Sequence, residues 1–468
     1  MESEEPKEKI NETKKEDDGF CKIHTFEEYV LKCNEKNKKL YILSNDYPDY
    51  YGIFLSRLSI FDDEKRGTVK QDKEKVNKIL EILKKNDEPK EKTEKLKELN
   101  VSEIEKKAIG SMLGMAIGDA MGARFEFDEV TYGKIELKNM GNGRGGNFFL
   151  EPGQWTDDTS MGLCIADSLI MNNGELVQHD IMHRFIAWWR GGYNNAFRYD
   201  KNLRHSVGLG GNISLSFDYY LYYYNQTNEL AKAETKAGDK NTSGNGSIMR
   251  NAAIPICFYK KIDKACEMAR KQSLITHQGD EAKECCSLLT HIIVKIINGE
   301  EKKDVFDNLG KTFHCDIESV NCLANHQREG DDEDRDWDWT VEQYKYSPTR
   351  TRKQGGYVGS YAMDNMAMSL NTIYKTNSFE EAMIRAANIR GDSDSVASVV
   401  GQIAGALYPI ETIPGDWIKA IYKWDHGEIA LRGYMLARIL NEDNDNNQET
   451  TNNVSEKRHS YIIQKNNN

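Results

Sequence analysis

Residues 108–122 read AIGSMLGMAIGDAMG, a mostly apolar stretch in which glycine returns at regular intervals. Gly110, Gly114 and Gly118 recur every four residues in a segment that otherwise has the composition of a helix. Residues four apart lie on one helical face, and glycines on that face let a second helix approach closely. The long runs of charge end just before this stretch, near Glu105. The pattern therefore predicts a helix in close contact with another helix.

Most of the remaining patterned sequence also has helical periodicity. Further helices are predicted at 159–172, 178–190, 212–224, 262–272, 279–298, 359–374, 379–388 and 395–408. The last of these carries apolar residues at core spacing from Val396 to Leu407, and its Gly401 and Gly405 again permit close packing. Long runs of strict apolar and polar alternation are absent, and the connecting segments are rich in Gly and Asn. The predicted fold class is all-α.

The composition restricts the class of protein. The 468 residues carry a formal net charge of -12, which argues against a nucleic-acid backbone as the main partner. Nine cysteines are scattered without the spacing of a zinc site, so free thiols are expected. The acidic N-terminus lacks the pattern of a secretory signal, and no stretch approaches ~18 uninterrupted apolar residues. These features predict a soluble protein with no membrane segment, in the cytoplasm or the nucleus.

Both ends of the chain differ from its middle. Residues 1–105 form a charged extension that is predicted to be partly disordered, with enough apolar content in 20–62 for a small helical element. Within it, Val76, Ile79, Leu80 and Leu83 have the spacing of an amphipathic helix that Pro89 is expected to end or kink. This helix either packs loosely on the main domain or binds a partner. The Asn-rich tail at 436–468 is predicted to be disordered.

Two polar segments interrupt the helical pattern. Residues 225–243 and 322–354 are predicted to be surface insertions. The second contains an acidic run, 331–338, that lacks the ligand spacing of an EF-hand loop and is interpreted as a solvated loop.

Two aspartate clusters precede predicted helices: Thr156-Asp157-Asp158-Thr159 and Asp392-Ser393-Asp394-Ser395. One interpretation is helix capping, because Ser, Thr and Asp oxygens accept the free amide hydrogens at a helix start. The other is a site for hard divalent cations such as Mg²⁺ or Mn²⁺, which prefer oxygen ligands. Two clusters brought together could hold two ions and position a water between them. The pair of clusters therefore favours a metal-dependent hydrolase.

A third segment, Gly244–Arg250, reads GNGSIMR. Its small residues allow a ligand to approach the backbone, and exposed amides bind phosphate. It lacks the Gly-Lys-Ser/Thr ending of a Walker loop and the preceding strand of a dinucleotide-binding motif. Taken alone, the segment is more typical of a plain turn.

In order and spacing these segments resemble the ADP-ribosylglycohydrolase family, which includes the dinitrogenase reductase-activating glycohydrolases. The resemblance spans roughly residues 106–420. It runs from residues 114–122 through the Thr156 cluster, Gly244–Arg250 and Thr276-His277, to residues 355–358 and the run from Gly391 to Tyr408.

The resemblance implies a compact orthogonal helical bundle over 106–435 with two Mg²⁺ ions, for which Mn²⁺ can substitute. It implies hydrolysis of the bond between ADP-ribose and a side chain of a modified protein, or of a related linkage in a small molecule. The implied metal ligands are Thr156, Asp157, Asp158, Asp392, Asp394 and Ser395. The implied substrate contacts are Gly244, Asn245, Gly246, Ser247, Met249 and His277.

Three carboxylates are candidates for proton transfer under this resemblance: Asp157, Asp158 and Glu126, the last at the place where some members have a mobile glutamate. Asp119 is expected to tie a helix end. Some members stack adenine on an aromatic residue where this chain has Thr242-Ser243, so adenine either stacks elsewhere or binds less tightly. Two other functions stay open: a non-catalytic ADP-ribose-binding member of the same fold, and an unrelated metal-dependent phosphohydrolase.

Overall fold

A computed structural model describes residues 69–197, 200, 205–227, 242–345 and 357–439. The predictions made for residues 1–68, for most of 225–243 and for the tail beyond 439 lie outside these described residues. The same holds for Gly355 and Gly356.

The described residues form helices and no strand, which confirms the all-α prediction. The helices are α1 Val69–Leu83, α2 Pro89–Glu98, α3 Glu103–Gly122, α4 Asp157–Met171, α5 Gln178–Gly191, α6 Gly211–Thr227, α7 Ala253–Cys257, α8 Ile262–Ser273, α9 Asp280–Ile297, α10 Lys302–Asp307, α11 Leu309–Thr312, α12 Glu318–Ala324, α13 Ala362–Lys375, α14 Phe379–Ala387, α15 Ser393–Leu407, α16 Gly415–Asp425 and α17 Glu428–Ile439. Short 3₁₀ turns occupy Asn245–Ser247, Glu333–Arg335 and Ile410–Thr412. Each helix predicted between 159 and 408 is present, with ends that differ by a few residues.

Helices α3 and α15 run antiparallel through the centre of the protein, with their glycine rows in contact. A Cβ atom built on Gly110 would lie 2.1 Å from the carbonyl oxygen of Gly405. A Cβ atom built on Gly114 would lie 2.0 Å from the carbonyl oxygen of Gly401. One turn further on, Gly118 meets the backbone of Ala397 in the same way. The close helix contact predicted from the sequence is therefore confirmed. It brings the C-terminus of α3 beside the N-terminus of α15.

The start of α3 is fixed locally by a capping box. The Ser102 hydroxyl accepts a hydrogen bond from the Glu105 amide, and the Glu105 carboxylate accepts one from the Ser102 amide at 2.8 Å. These reciprocal bonds satisfy two amides that lack partners inside the helix. The end of the charged region and the start of the buried helix thus coincide.

The amphipathic helix of the extension belongs to the main core. The apolar face of α1, which includes Val76, Ile79 and Leu83, is buried in the same hydrophobic cluster as the rest of the protein and packs on α17. The prediction of loose packing is wrong, because the protein itself covers this face. Pro89 neither ends nor kinks α1; it begins α2, where its missing amide hydrogen has no helical partner to lose.

The structure differs from the interpretation of the acidic segment after α12 as a solvated loop. Asp331, Asp332 and Glu333 are exposed, but Trp337 and Trp339 are 0% and 1% exposed. The Trp339 indole donates to the Leu323 carbonyl at 2.7 Å. The described part of 322–354 is therefore not a solvated loop, because its tryptophans anchor it in the core.

Within the described chain, the seven cysteines that the structure describes are free thiols. No helix in the same residues has the length and apolarity needed to span a membrane.

Candidate metal and ligand site

Three helix ends meet at one place: the C-terminus of α3 and the N-termini of α4 and α15. Asp119, near the end of α3, accepts hydrogen bonds at 2.9 Å from the amides of Thr156 and Thr159 at the start of α4. Asp119 thus ties the helix end, as expected. Thr156 and Asp392 occupy the N-cap positions of α4 and α15, yet neither makes a side-chain capping bond to its own helix. Capping therefore does not explain the two aspartate clusters.

The carboxylates at this junction form two groups that share one residue. Oxygens of Asp119, Asp158 and Asp394 lie within 4.8 Å of one another, and so do oxygens of Glu126, Asp392 and Asp394. All five side chains are buried. The fold therefore brings the two predicted clusters together and adds Asp119 and Glu126 to them.

The Thr156 hydroxyl lies between the clusters. Its Oγ1 is 2.9 Å from Asp119 Oδ1, 3.2 Å from Asp158 Oδ2 and 3.3 Å from Asp394 Oδ2. A single hydroxyl hydrogen serves only one of these oxygens at a time. The remaining close oxygen pairs repel unless a proton or a cation lies between them.

The electrostatics of the site show carboxylates whose negative charge is costly unless a proton or a cation neutralises it. Burial raises the pKa of Asp158 well above its usual value, and repulsion from Asp394 adds to the rise. The pKa values of Asp157 and Glu126 are raised well above the usual values by the same two causes. Glu126 Oε2 and Asp158 Oδ1 are buried without a hydrogen-bond partner. Buried carboxylate oxygens without a hydrogen-bond partner are suitable ligands for a hard divalent ion. Such an ion would coordinate these oxygens and cancel the repulsion between them.

Glu126 is held in place by the segment before α15. The Phe127 amide donates to the Gly391 carbonyl at 2.9 Å, and the Gly391 amide donates to the Asp128 carbonyl at 2.9 Å. The Tyr357 hydroxyl donates to Glu126 Oε1 at 3.1 Å. These bonds direct Glu126 to the acidic cluster and leave its second oxygen free for a ligand.

A cavity of about 490 Å³ opens beside the carboxylates. It is large enough for a drug-sized or nucleotide-sized ligand. The predicted site residues that line it are Glu126, Asp157, Gly244, Asn245, Gly246, Met249, His277, Asp392, Asp394 and Ser395. Thr156 and Asp158 are not among the lining residues: Asp158 belongs to one of the two carboxylate groups, and the Thr156 hydroxyl lies beside that group.

Ser247 differs from the other predicted substrate contacts. It is fully buried and is not among the residues that line the cavity. Its hydroxyl accepts hydrogen bonds from Ser273 at 2.9 Å and from the Cys286 thiol at 3.3 Å. The structure thus makes Ser247 an anchor of the Gly244–Arg250 backbone, because its side chain is directed into the core.

His277 faces the cavity in a defined tautomer. Arg250, which only donates, directs Nη2 to Thr276 Oγ1 at 2.7 Å. The Thr276 hydroxyl, 2.8 Å from His277 Nδ1, satisfies its own hydrogen by donating to that nitrogen. The network therefore assigns the ring hydrogen to Nε2. Burial lowers the pKa of His277 to about 3, so the ring is a neutral donor.

Gly246 lies directly under the His277 ring. A Cβ atom at this position would be 2.7 Å from His277 Cε1. Gly246 therefore has to be a glycine, because the His277 ring leaves no room for a side chain at this position.

Several lining residues were missed by the sequence analysis. They are Phe127, Phe148, Leu209, Tyr357, Ser360 and the turn into α6 at Gly208 and Gly210–Ile213. Gly208 has φ of +93° and lies against Asp157, where a Cβ atom would be 2.0 Å from Oδ1. The glycine-rich run before α6 was an available signal for this turn. No sequence signal pointed to Phe127 or Phe148, whereas Tyr357 lies in the 355–358 segment of the family resemblance.

A model of the ADP-ribosylglycohydrolase family matches residues 100–449. The chain is similar to the ADP-ribosylarginine hydrolase Tri1 of Serratia proteamaculans (strain 568), with 31% identity over 320 residues that cover 68% of this chain and 76% of that protein. The protein of the same name from Pseudomonas putida (strain GB-1) is 29% identical over 327 residues, which cover 67% of this chain and 74% of that protein.

Two further comparisons agree in fold and family. The ADP-ribosyl-[dinitrogen reductase] glycohydrolase of Rhodospirillum rubrum is 26% identical over 322 residues, covering 68% of this chain and 91% of that protein. A solved structure described as an ADP-ribosylglycohydrolase-related protein complex is matched with a TM-score of 0.53 and 27% identity. That match covers 72% of this chain and 100% of the other.

Proposed function

This chain belongs to the ADP-ribosylglycohydrolase family, and we propose that it hydrolyses the glycosidic bond between ADP-ribose and a modified side chain, with arginine as the favoured linkage. The observation that carries the proposal is the junction of α3, α4 and α15, where two carboxylate groups share Asp394 beside a nucleotide-sized cavity. Arginine is favoured because two of the similar proteins are named ADP-ribosylarginine hydrolases.

The residues present fit a pair of Mg²⁺ ions. Asp119, Asp158 and Asp394 would hold one ion, and Glu126, Asp392 and Asp394 the other, with Thr156, Asp157 and Ser395 as further oxygen donors. The unpartnered oxygens of Glu126 and Asp158 support this assignment. When bound, such ions polarise ribose hydroxyls and an attacking water.

The rest of the cavity suits the remainder of ADP-ribose. The N-terminus of α6, at Gly211–Ile213, lines the cavity, and its free amides offer a positive end to a diphosphate. The His277 Nε2 hydrogen adds a neutral donor near the backbone of Gly244 and Gly246. These groups would hold the nucleotide and leave the glycosidic carbon beside the carboxylates.

In the proposed reaction the bond from C1″ of the ribose to the side chain breaks, and a bond from C1″ to a water oxygen forms. Positive charge that develops on the ribose is stabilised by the nearby carboxylates. One carboxylate takes a proton from the water and passes it to the departing nitrogen, which returns the carboxylate to its starting state. Glu126 and Asp157 line the cavity and are the candidates for this role, whereas Asp158 does not line it.

The first experiment measures release of free ADP-ribose from arginine-modified and serine-modified peptides, with Mg²⁺ and with EDTA. We expect Mg²⁺-dependent release from the arginine peptide. Asp394→Asn should abolish it, because Asp394 belongs to both carboxylate groups. The matched control is Asp416→Asn, an exposed carboxylate on α16 paired with Lys419. Tight ADP-ribose binding without release from either peptide would favour the non-catalytic alternative.

A second experiment identifies the proton acceptor. We would compare kcat for Asp157→Asn, Asp158→Asn and Glu126→Gln, and measure Mg²⁺ and ADP-ribose binding for each. The acceptor is the residue whose variant loses kcat while both binding constants stay within about twofold. If every variant loses the metal in proportion to kcat, none of the three is separable from metal binding. Release of phosphate from simple phosphomonoesters without an ADP-ribose product would instead support the phosphohydrolase alternative.

A further inference from the structure

The residues that line the cavity divide into two groups by their contacts. In the first group, His277 lies against Gly244 and Gly246. Gly246 in turn lies against Ile213, at the start of α6. The other group is aromatic and surrounds Glu126. In it, Phe127 stacks on Tyr357 with ring centroids 5.8 Å apart and meets the edge of Phe148 at 5.7 Å.

Phe127 is an unusual surface residue. Its side chain is 56% exposed, although the preceding residue, Glu126, is 4% exposed and directed into the carboxylate cluster. Its backbone is left-handed, with φ of +68°, a conformation that costs a bulky L-residue roughly 1 kcal/mol or more. The hydrogen bonds to Gly391 on either side of it hold this conformation. The fold therefore maintains an exposed ring at the mouth of the cavity, next to the carboxylate site.

The surroundings of this ring suit a cation. Among the described residues that line the cavity there is no Lys and no Arg whose positive charge would repel one. An aromatic face attracts a guanidinium group electrostatically, and the planar guanidinium stacks on it. A target side chain enters from solvent and so meets the exposed ring, whereas His277 is 3% exposed.

We propose that Phe127 forms the leaving-group subsite and stacks the guanidinium of an ADP-ribosylated arginine, so that it favours arginine linkages over hydroxyl linkages. This inference rests on the proposed function. Tyr357 supports the ring from behind and ties it to the site, because its hydroxyl binds Glu126. The Phe127 side chain is thus a specificity element, whereas its backbone amide helps to position Glu126 and is unchanged by a side-chain substitution.

The test compares kcat/KM of the full-length protein with Mg²⁺ on matched arginine-modified and serine-modified peptides. Phe127→Leu keeps an apolar side chain and removes the aromatic face. We expect kcat/KM for the arginine peptide to fall roughly 3- to 30-fold. The value for the serine peptide should stay within about twofold, because a hydroxyl leaving group carries no charge to stack. Phe127→Tyr keeps an aromatic face, so its kcat/KM for the arginine peptide should equal that of the wild type.

Phe149 supplies a matched control. It is also an exposed phenylalanine with positive φ, at 66% exposure and +56°, but it does not line the cavity. Phe149→Leu should leave both values unchanged. An equal loss for both peptides in Phe127→Leu, or no loss for either, overturns the inference while the proposed function stands.

If the wild-type protein releases ADP-ribose from neither peptide, the proposed function fails, and calorimetric binding of the two intact peptides then tests the subsite. A loss of affinity in Phe127→Leu that is confined to the arginine peptide supports it. Equal affinities in the variant and the wild type overturn it.

Discussion

Replacing Gly114 by alanine tests the contact on which both the fold and the site depend. In an ordinary exposed helix this change stabilises by about 1 kcal/mol, because alanine loses less conformational entropy than glycine. Here the new Cβ would lie 2.0 Å from the Gly401 carbonyl oxygen, against an ordinary contact of at least 3.4 Å. The two helices must therefore separate by about 1.4 Å at this crossing, the difference between those distances.

That separation acts on backbone, which cannot rotate away as a side chain can. Overpacking of a well-filled core costs typically 1–3 kcal/mol and occasionally more. We expect the upper end of this range, so that Gly114→Ala lowers the free energy of unfolding by at least about 2 kcal/mol despite its gain in helix propensity. Urea denaturation monitored by circular dichroism gives this difference from the shift in midpoint at constant slope.

The same variant should weaken the metal site. Helix α3 carries Asp119 and α15 begins beside Asp392 and Asp394, so a shift of more than 1 Å misplaces oxygens that must converge on one ion. We expect Mg²⁺ affinity, measured by calorimetry, to fall at least tenfold. The control is Gly211→Ala at the start of α6, where a Cβ atom meets nothing within 4 Å and stability should not fall. Unchanged or increased stability of Gly114→Ala would refute the close contact.

Three more predictions concern metal, protonation and packing. Mg²⁺ at 100 times its wild-type dissociation constant should raise the free energy of unfolding by about 2.7 kcal/mol for each bound ion in the wild type and in Asp416→Asn, but far less in Asp394→Asn; equal gains in a melting assay would contradict the shared ligand. The pKa of His277 is lowered to about 3, so between that value and about 6.5 the unfolded chain binds the extra proton and stability falls as pH falls. In urea titrations from pH 7 to 5, His277→Gln should therefore lose about 2 kcal/mol less than the wild type, and equal losses would show that the folded protein takes up this proton over the same pH range as the unfolded chain. Trp339→Ala should cost about 3–5 kcal/mol, whereas Asp331→Ala in the same segment should stay within about 0.5 kcal/mol, and a small effect of Trp339→Ala would restore the solvated-loop interpretation.

The features of the fold that depend only on the residue pattern within a single helix could be predicted from the sequence. The row from Gly110 to Gly118 and the glycines at 401 and 405 indicated two closely packed helices, and they are in contact. The extension was harder to interpret, because the Lys and Glu residues around α1 hid how completely its narrow apolar face is buried. In the segment after α12 the acidic residues outnumber two tryptophans that decide its packing.

The candidate site also contains residues that the sequence indicated and residues that it did not. Both aspartate clusters and the Gly244–Arg250 segment stood out because each places several unusual residues within a few positions. Phe127 did not, because it belongs to no local pattern, and Tyr357 lies 230 positions away in the 355–358 segment of the family resemblance, where nothing indicated that the two rings meet. Ser247 shares its segment with cavity residues but is directed into the core, since the side chains of a tight turn point in different directions.

The sequence by itself determined where helices form, which of their faces are apolar, and which segments carry oxygen ligands, because these properties depend on residue type and local spacing. Only the tertiary structure decided that Asp394 joins two carboxylate groups, that Asp119 caps α4, and that Arg250 and Thr276 fix the hydrogen of His277. The physical reason is that periodicity specifies a buried face but not the helix that covers it. Hydrogen bonds and shared ligands depend on distances of about 3 Å, which are set only when the helices cross.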